Sequence, residues 1–591
     1  MDKKNLTIGV LFLLAAFAII KFGPRAPQPS PPAPSIGNIR PLAPGQPAPG
    51  PSAAPADATF AALETDNAGE HVTHLDNDFI DVALTDQGGA IKSIAFKKYP
   101  AELGKPDPYV FNALHVDPML ALVDFPGLDR GTHYTLVSQT AREAVFRAVF
   151  ENRIEVTRRY VVEPSDTKTG DPYQLRHETV LRNLTGETAP LPRLAVSLGT
   201  ATPVDVRDFG TYLDTGYSDG SSINFISRNK LQGGGPLSWF GMAPRGPVPY
   251  LETTSAIAWA SVKNQFFTTI LTPDAPGVGL ITRRVELPPF PGTTVPAIGI
   301  TGSVLLAPAP LAPHAQTTLG MNFYAGPKEY KRLANADVFK RDQDKVMEFG
   351  MFKFFSELLL NMMTWVHTWA PNWGLAVVLT TLTIKLIFLP FTFAAARSGR
   401  RMQQIQPLLK EIREKYKDNP KKFNEAQLAL FREHKINPLG GCLPMLITFP
   451  FFLGFFRMLL CAPEFRFSSF LWVHDLSAPD TVAYIAGFPI RIMPLLMGAT
   501  MIYQMSLVPQ PTMGDQTQAK MMRFMPFIYI VFCYQYSCAL SLYSTINGLF
   551  AIIQQLLINR MKNDGDPTHT AGAARPAGGK PLKNVSPVRK K

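Results

Sequence analysis

The chain changes the period of its apolar positions twice. Asn5 to Ile20 is an apolar run behind Lys3 and Lys4. From about residue 59 to 330 apolar and polar positions alternate, and beyond about 334 they recur at helical spacing or run on without a break. In the alternating part, Phe79 to Leu84 and Ile91 to Phe96 flank the turn Asp86-Gln87-Gly88-Gly89, which predicts a β-hairpin. Tyr173 to Leu181 predicts a further strand. Many such runs between Gly, Pro and Asn turns predict a large β-sandwich with no long amphipathic helix.

The helical part opens with Met351 to Trp369, where Phe, Leu, Met and Trp gather on one side among Lys353, Glu357, Asn361 and His367. That pattern predicts a helix lying in a membrane interface. Five apolar spans follow, at about 373–395, 438–460, 487–507, 521–536 and 539–558, each near the roughly 20 residues that cross a bilayer. The last two share the polar junction Tyr534-Gln535-Tyr536-Ser537, read as a tight turn at the membrane surface. Between the first two spans, Ile405, Leu408, Leu409, Ile412 and Tyr416 recur at helical spacing. Asn419-Pro420 then supplies a cap and first position for a second helix carrying Ala426, Leu430 and Phe431. Residues 397–436 are therefore expected to form a helical hairpin.

Charge orients these spans. The 591 residues carry a net charge of +12. Residues 397–435 hold eleven Lys/Arg against five Asp/Glu, and Arg560 to Lys591 eight against two, so each segment contributes +6 and together they supply the whole excess. The loop 462–486 has only Arg466 among basic residues. The positive-inside bias puts the N-terminus, the hairpin and the C-terminus in the cytoplasm. The β-domain then faces outward, into the periplasm of a cell with two membranes. Mean hydropathy is only +0.03, because the soluble part offsets the spans. The expected organisation is a signal anchor at 1–22, a Pro-rich linker at 23–58 and a β-sandwich at 59–333. An interfacial helix region follows at 334–370, then a membrane core at 371–560 and a basic tail at 561–591. Cys442, Cys461, Cys533 and Cys538 all lie in the membrane core, so no disulfide framework holds the β-domain.

Lys385 breaks the apolar pattern. It is twelve residues beyond Trp373 in WGLAVVLTTLTIKLIFLPFTF, about 18 Å along a helix rising 1.5 Å per residue. A charge that deep costs at least ~2.5 kcal/mol and marks a wet cavity or a functional site. Thr381 shares its face and Thr380 and Thr383 are close by. In the last span Ser541, Thr545, Gly548 and Gln555 form one stripe, and Tyr543 and Asn547 the next. Hydroxyls and amides can solvate an ammonium directly or through water, which predicts a hydrophilic groove. The bland alternative is a snorkelling lysine whose neighbouring Thr hydroxyls bond their own backbone.

Other chemistry finds little support. Gly216-Tyr217-Ser218-Asp219-Gly220 fits GxSxG, but Ser221-Ser222-Ile223-Asn224 predicts a turn or strand where a hydrolase needs a helix. HExxH, CxxC, P-loop and GxGxxG patterns are absent, so no metal or cofactor is expected. A coupled transporter would place carboxylates at mid-membrane, and the spans have none. An anchored glycan-binding or glycan-modifying protein would leave five spans and a structured hairpin unexplained.

The segment Asn437 to Leu453 (NPLGGCLPMLITFPFFL) strongly resembles the signature span of the YidC/Oxa-type membrane protein insertases. So do Leu471 to Ser477 (LWVHDLS), Phe524-Met525-Pro526 and Ile552-Ile553-Gln554-Gln555. Gly326-Pro327-Lys328 resembles the close of that family's periplasmic domain in Gram-negative bacteria. The resemblance implies six transmembrane helices, five of them forming an insertase core, plus an all-β periplasmic supersandwich. It implies an insertase and chaperone of the bacterial inner membrane without covalent catalysis, acting alone or beside the Sec translocon on nascent membrane proteins. The family's groove arginine aligns with Lys385 and Thr381 matches a polar groove residue, and Tyr543, Ser544 and Asn547 are the further candidates for the polar lining. Met445, Phe449, Phe452, Phe456, Phe527 and Ile530 become candidates for a greasy slide. Three departures stand out: lysine for arginine, Ser537-Cys538-Ala539 for a Pro-Ser-Gly turn, and Tyr543-Ser544 for paired tyrosines. The basic hairpin and tail suit either ribosomal RNA or anionic lipid.

Overall fold

The computed structural model describes residues 69–560 apart from 115–116, 124–131, 167–169, 206–207, 209, 233–246, 291–293, 295, 418, 435–442, 486–487, 508–526 and 532. Side chains at 394–404, 406, 410 and 443–448 are likewise outside the description. The expected anchor, linker and tail, and the signature residues 437–442 and 524–526, lie outside the described residues. The chain forms two compact units that part between Val346 and Met347.

The first unit is antiparallel β. The predicted hairpin forms with Ile80–Thr85 paired to Ala90–Pro100, Ile80 opposite Phe96 and Val82 opposite Ile94. With Val72–Asp76 and Pro108–Phe111 it makes a four-stranded sheet. A nine-stranded sheet is centred on Gln316–Pro327, which lies between Phe267–Pro273 and Gln174–Asn183. A second four-stranded sheet contains Tyr250–Ile257, Gly277–Pro289, Pro296–Leu306 and Leu194–Ala201. It packs on the nine-stranded sheet, with Thr215 and Thr282 hydroxyls 2.7 Å apart and the Thr269 hydroxyl donating to Leu198 O at 2.9 Å. Leu194–Ala201 is buried at all of its 8 positions, the small residues Ala195, Ser197, Gly199 and Ala201 alternating along the chain with Leu194, Val196, Leu198 and Thr200. Aromatic rings fill the other interface: Tyr109 stacks on Phe267 at 4.3 Å, and Phe96 lies 5.1 Å from Phe267.

The GxSxG segment is structural. Gly216, Tyr217 and Ser218 lie in strand Asp214–Ser218, and Asp219 closes a turn by accepting from the Ser221 and Ser222 amides at 2.8 and 2.6 Å. The next element is strand Ile223–Ser227, followed by the single-turn helix α1 (Arg228–Gln232).

The last strand ends at Pro327, whose carbonyl accepts from Tyr324 at 2.6 Å. Helix α2 (Tyr330–Leu333) is held by Arg332, which pairs with Asp171 at 2.6 Å and Glu329 at 3.0 Å. The segment after α2 stays on the sandwich. Gln343 donates to the Thr272 hydroxyl at 2.8 Å, and the buried Lys263 ammonium donates to Val346 O at 3.0 Å.

The second unit is helical: α3 (Lys353–Trp369), α4 (Trp373–Gln404), α5 (Gln406–Lys415), α6 (Pro420–Glu433), α7 (Leu443–Cys461), α8 (Ile492–Leu507) and α9 (Cys538–Arg560). Residues 527–531 are helical as well. Among the described residues, Trp373–Phe393 and Cys538–Arg560 are long and apolar enough to cross a membrane; Phe449–Cys461 and Ile492–Leu507 are shorter apolar helices.

Two boundaries differ from expectation. Helix α4 continues to Gln404, past the expected end near 395, because Arg397, Arg400 and Arg401 favour helix and only polarity changes there. The expected span 487–507 becomes a helix only at Ile492, since Phe488–Arg491 forms a strand paired with Thr481–Ile485. Pro489 disfavours helical backbone at Phe488, and Arg491 is drawn to Tyr534 O and the Thr481 hydroxyl.

The hairpin between α4 and α7 forms as its spacing predicts. Asn419 accepts from the Lys422 amide at 3.1 Å, and Pro420 occupies the first turn of α6. Ile405, Leu409, Leu430 and Phe431 form one buried cluster, with Ile412 against it.

Candidate functional site

The connection 462–491 sets the start of three helices. Asn372 caps α4 by accepting from the Leu375 amide at 2.9 Å and donates to Ser469 O at 2.9 Å. Asp480 accepts from the Met493 amide at 2.7 Å, and from Trp472 Nε1 at 3.4 Å, at the start of α8. Burial pushes the Asp480 carboxyl above its ordinary range. The amides of Cys538 and Ala539, at the start of α9, donate to Ala478 O and Leu476 O at 2.8 and 2.9 Å. Orphan N–H groups at helix starts thus find partners in one loop.

Lys385 lies in the middle of the apolar stretch of α4 and is half-buried. Among the described residues it has no carboxylate or hydrogen-bond partner. The next two residues, Leu386 and Ile387, are each 59% exposed. Thr381, one turn earlier, is buried, and its hydroxyl donates to Val377 O at 2.7 Å; Thr383 likewise bonds Leu379 O at 2.8 Å. These hydroxyls are satisfied by their own helix, as the bland alternative describes. The buried Thr380 hydroxyl has no partner among the described residues.

The two stripes of α9 separate. Ser541, Thr545 and Gly548 are buried, and Thr545 donates to Ser541 O at 2.7 Å. A Cβ on Gly548 would lie 2.8 Å from the Thr500 hydroxyl, so this stripe is where α9 meets α8. Small residues in that role are packing devices. Tyr543, Ser544 and Asn547 face elsewhere. Tyr543 stacks on Phe455 of α7 at 4.3 Å and 17°. The Ser544 hydroxyl is 3.3 Å from that of Tyr529. Asn547 is half-buried.

The candidate slide residues divide too. Phe449 is 39% exposed and meets Phe352 edge-on. Phe452 lies 6.3 Å from both Tyr529 and Tyr543, and Phe456 lies 5.6 Å from Tyr536. Phe527 is 52% exposed. Ile530 sits against Gly498 of α8, where any Cβ would collide with it. Met445 lies on α7, outside the residues with described side chains.

Sequence reasoning missed Tyr529, Phe451 and Phe455. Phe451 joins three helices, 4.8 Å from Phe355 and 5.1 Å from Phe388. Tyr529 is a lone hydroxyl in an apolar segment, a signal open to reading once polar atoms in every span are counted.

The family model of the 60Kd inner membrane protein matches residues 365–565, and that of the YidC periplasmic domain residues 72–362. The membrane protein insertase YidC of Syntrophobacter fumaroxidans is 30% identical over 443 residues, 73% of each chain. That of Marinomonas sp. is 28% identical over 535 residues, covering 86% of this chain and 89% of its own. A crystal structure of an active YidC insertase with its first transmembrane domain resolved aligns over 93% of this chain and 98% of its own, at 18% identity and a TM-score of 0.33. With a β unit and a unit of apolar helices in the matched order, the chain belongs to the YidC family of membrane protein insertases.

Proposed function

We propose that this protein moves nascent membrane proteins from the cytoplasm into the inner membrane by way of a wet groove at Lys385. Six helices span the bilayer in this reading, residues 1–22 and five within 371–560, with both termini and the 397–436 hairpin cytoplasmic and the β-domain periplasmic. The polar, often acidic, segment to be translocated is drawn toward the Lys385 ammonium. Thr381, Tyr543, Ser544 and Asn547 line its path. The apolar segment slides into lipid along Met445, Phe449, Phe452 and Phe456 on one side and Phe527 and Ile530 on the other. Transfer of apolar surface into lipid, at about 25 cal/mol per Å², drives the process without nucleotide or covalent chemistry. No cofactor is required. The protein works alone or with the Sec translocon, and its basic hairpin and tail meet the ribosome or anionic lipids.

The observation that carries this reading is Lys385 itself: one cation, twelve residues into an apolar helix, without an acidic partner among the described residues. Such a charge is retained only where it has water or a function. Purified protein in vesicles tests it with a short single-span substrate bearing an acidic tail. Lys385→Arg should insert that substrate, whereas Lys385→Gln and Lys385→Glu should not. Insertion by Lys385→Gln at the unsubstituted rate would remove the charge from the mechanism.

A further inference from the structure

The strand pair before α8 is a second, unassigned feature of the membrane unit. Among the described residues Thr481–Ile485 pairs only with Phe488–Arg491, which makes a two-stranded ribbon. Its side chains are apolar and in the open: Val482 is 46% exposed, Tyr484 71%, Ile485 65% and Phe488 59%. Residues 481–490 contain no Asp, Glu, Lys or Arg. An isolated two-stranded hairpin is marginal in water, and one that exposes large apolar groups on both faces loses further stability there.

What covers the ribbon follows from where it is attached. The strand Phe488–Arg491 runs straight into α8 at Ile492. Phe488 stacks on Tyr534 at 5.5 Å, and the Tyr534 hydroxyl donates to Pro489 O. Arg491 lies 5.0 Å from the Tyr534 ring and donates to its carbonyl. Tyr534 belongs to the turn that precedes α9 at Cys538. The ribbon is thus fixed to the ends of two apolar helices, at the level where they leave the hydrocarbon. Its free strand edges need water, which excludes the hydrocarbon core. Tyr and Phe at that level are the composition of an aromatic belt.

We infer that the Thr481–Arg491 ribbon is a lipid-interface foot, lying in the headgroup–acyl boundary of the bilayer with Val482, Tyr484, Ile485 and Phe488 as its apolar contacts. The absence of charge from 481–490 makes the contact indifferent to headgroup charge. This rests on the reading that the apolar helices cross the bilayer.

The test uses the full-length protein in phosphatidylcholine vesicles. An environment-sensitive fluorophore is placed at Tyr484→Cys and, separately, at Ile485→Cys, with the labelling of unsubstituted protein subtracted. Leu103→Cys, 50% exposed on the β unit, and Ile553→Cys, 57% exposed on α9, serve as references. Quenchers are carried at the headgroup, deep in the acyl chain, or in water. Positions 484 and 485 are expected to be quenched most by the shallow lipid quencher, 553 by the deep one and 103 only from water. Quenching of 484 and 485 from water alone overturns the inference, as does protection from every quencher, which would place the ribbon against protein. If 553 also escapes the lipid quenchers, the membrane-spanning reading falls and takes the foot with it. Quenching at 553 without quenching at 484 and 485 defeats the foot alone.

Discussion

The Arg158 guanidinium lies 3.3 Å from His177 Nε2, with both side chains sealed from solvent inside the β unit. Arg158 also donates to Gly88 O at 2.7 Å and to Leu120 O, so its charge is met by carbonyl dipoles. The ring of His177 stacks on Tyr160 at 4.3 Å, its Nδ1 lies 3.1 Å from Arg159 O, and Thr179 Oγ1 is 2.8 Å from Nε2. With Arg158 donating to Nε2, the proton belongs on Nδ1 and the ring is neutral. Burial first, and the Arg158 charge second, hold this imidazole well below its ordinary value. The unfolded chain therefore binds a proton that the folded one refuses, and stability falls as pH drops through and below about 6.5. Protection factors for amides of strands Ile154–Val162 and Gln174–Asn183, with the intrinsic exchange rate at each pH divided out, should fall between neutral pH and pH 5. His177→Gln should be less stable at pH 7.5 and should show a shallower loss on acidification. An unchanged slope would assign the acid response to other groups.

Gly548 allows α9 to approach α8 closely, because a Cβ there would stand 2.8 Å from Thr500 Oγ1 and 3.1 Å from Thr500 Cβ. Alanine would gain up to ~1 kcal/mol of helix propensity over glycine. Overpacking costs about 1–3 kcal/mol, and the Thr500 hydroxyl is held by Met497 O at 2.8 Å, so it does not turn away freely. The steric cost wins. Gly548→Ala is expected to lower the melting temperature in detergent, and adding Thr500→Gly should recover much of the loss. A higher melting temperature for Gly548→Ala would mean that the helices adjust at no cost.

How much of this was legible depends on the range of the interaction. Alternation placed Ile80–Thr85 against Ala90–Pro100, because a short turn fixes register locally. Asn419-Pro420 announced the start of α6, because a cap is a three-residue event. The Thr481–Arg491 ribbon was hidden, since Phe488, Pro489 and Ile490 merge with the apolar run of α8 and carry no polar alternation. The stripe Ser541, Thr545, Gly548 was visible as a pattern, but its partner Thr500 lies on another helix, so polar lining and close packing looked alike. Arg332, which ties α2 to Asp171 across a sequence separation of 161, has no local signature at all.

The Asn419 side chain is the sole side-chain cap of α6 among the described residues, accepting from Lys422 while Phe423 N–H reaches Asn419 O at 3.0 Å. Replacing a cap of this type by alanine costs about 0.5–2 kcal/mol. Asn419→Ala should speed amide exchange at Lys422 and through the first turn of α6, whereas Asn419→Asp should hold it near the unsubstituted rate. The cluster of Ile405, Leu409, Leu430 and Phe431 sits further along and should keep the distal turns protected in both variants.

Tyr543 separates packing from wetting within one side chain. Its ring stacks on Phe455 at 4.3 Å, an arrangement that phenylalanine reproduces. Its hydroxyl is the group proposed above to line the polar path. Removing the ring should cost about 3–5 kcal/mol, as for other large aromatic truncations. Removing the hydroxyl alone should leave the melting temperature within a degree or two. Tyr543→Ala is therefore expected to lose both stability and insertion. Tyr543→Phe should keep stability and lose insertion of substrates whose translocated segment carries several charges, while substrates with short uncharged tails pass as before. The measurement is vesicle insertion of the two substrate types beside a melting curve for each variant. Equal insertion of both substrates by Tyr543→Phe would reduce Tyr543 to a packing residue and leave the polar path to Ser544, Asn547 and Lys385.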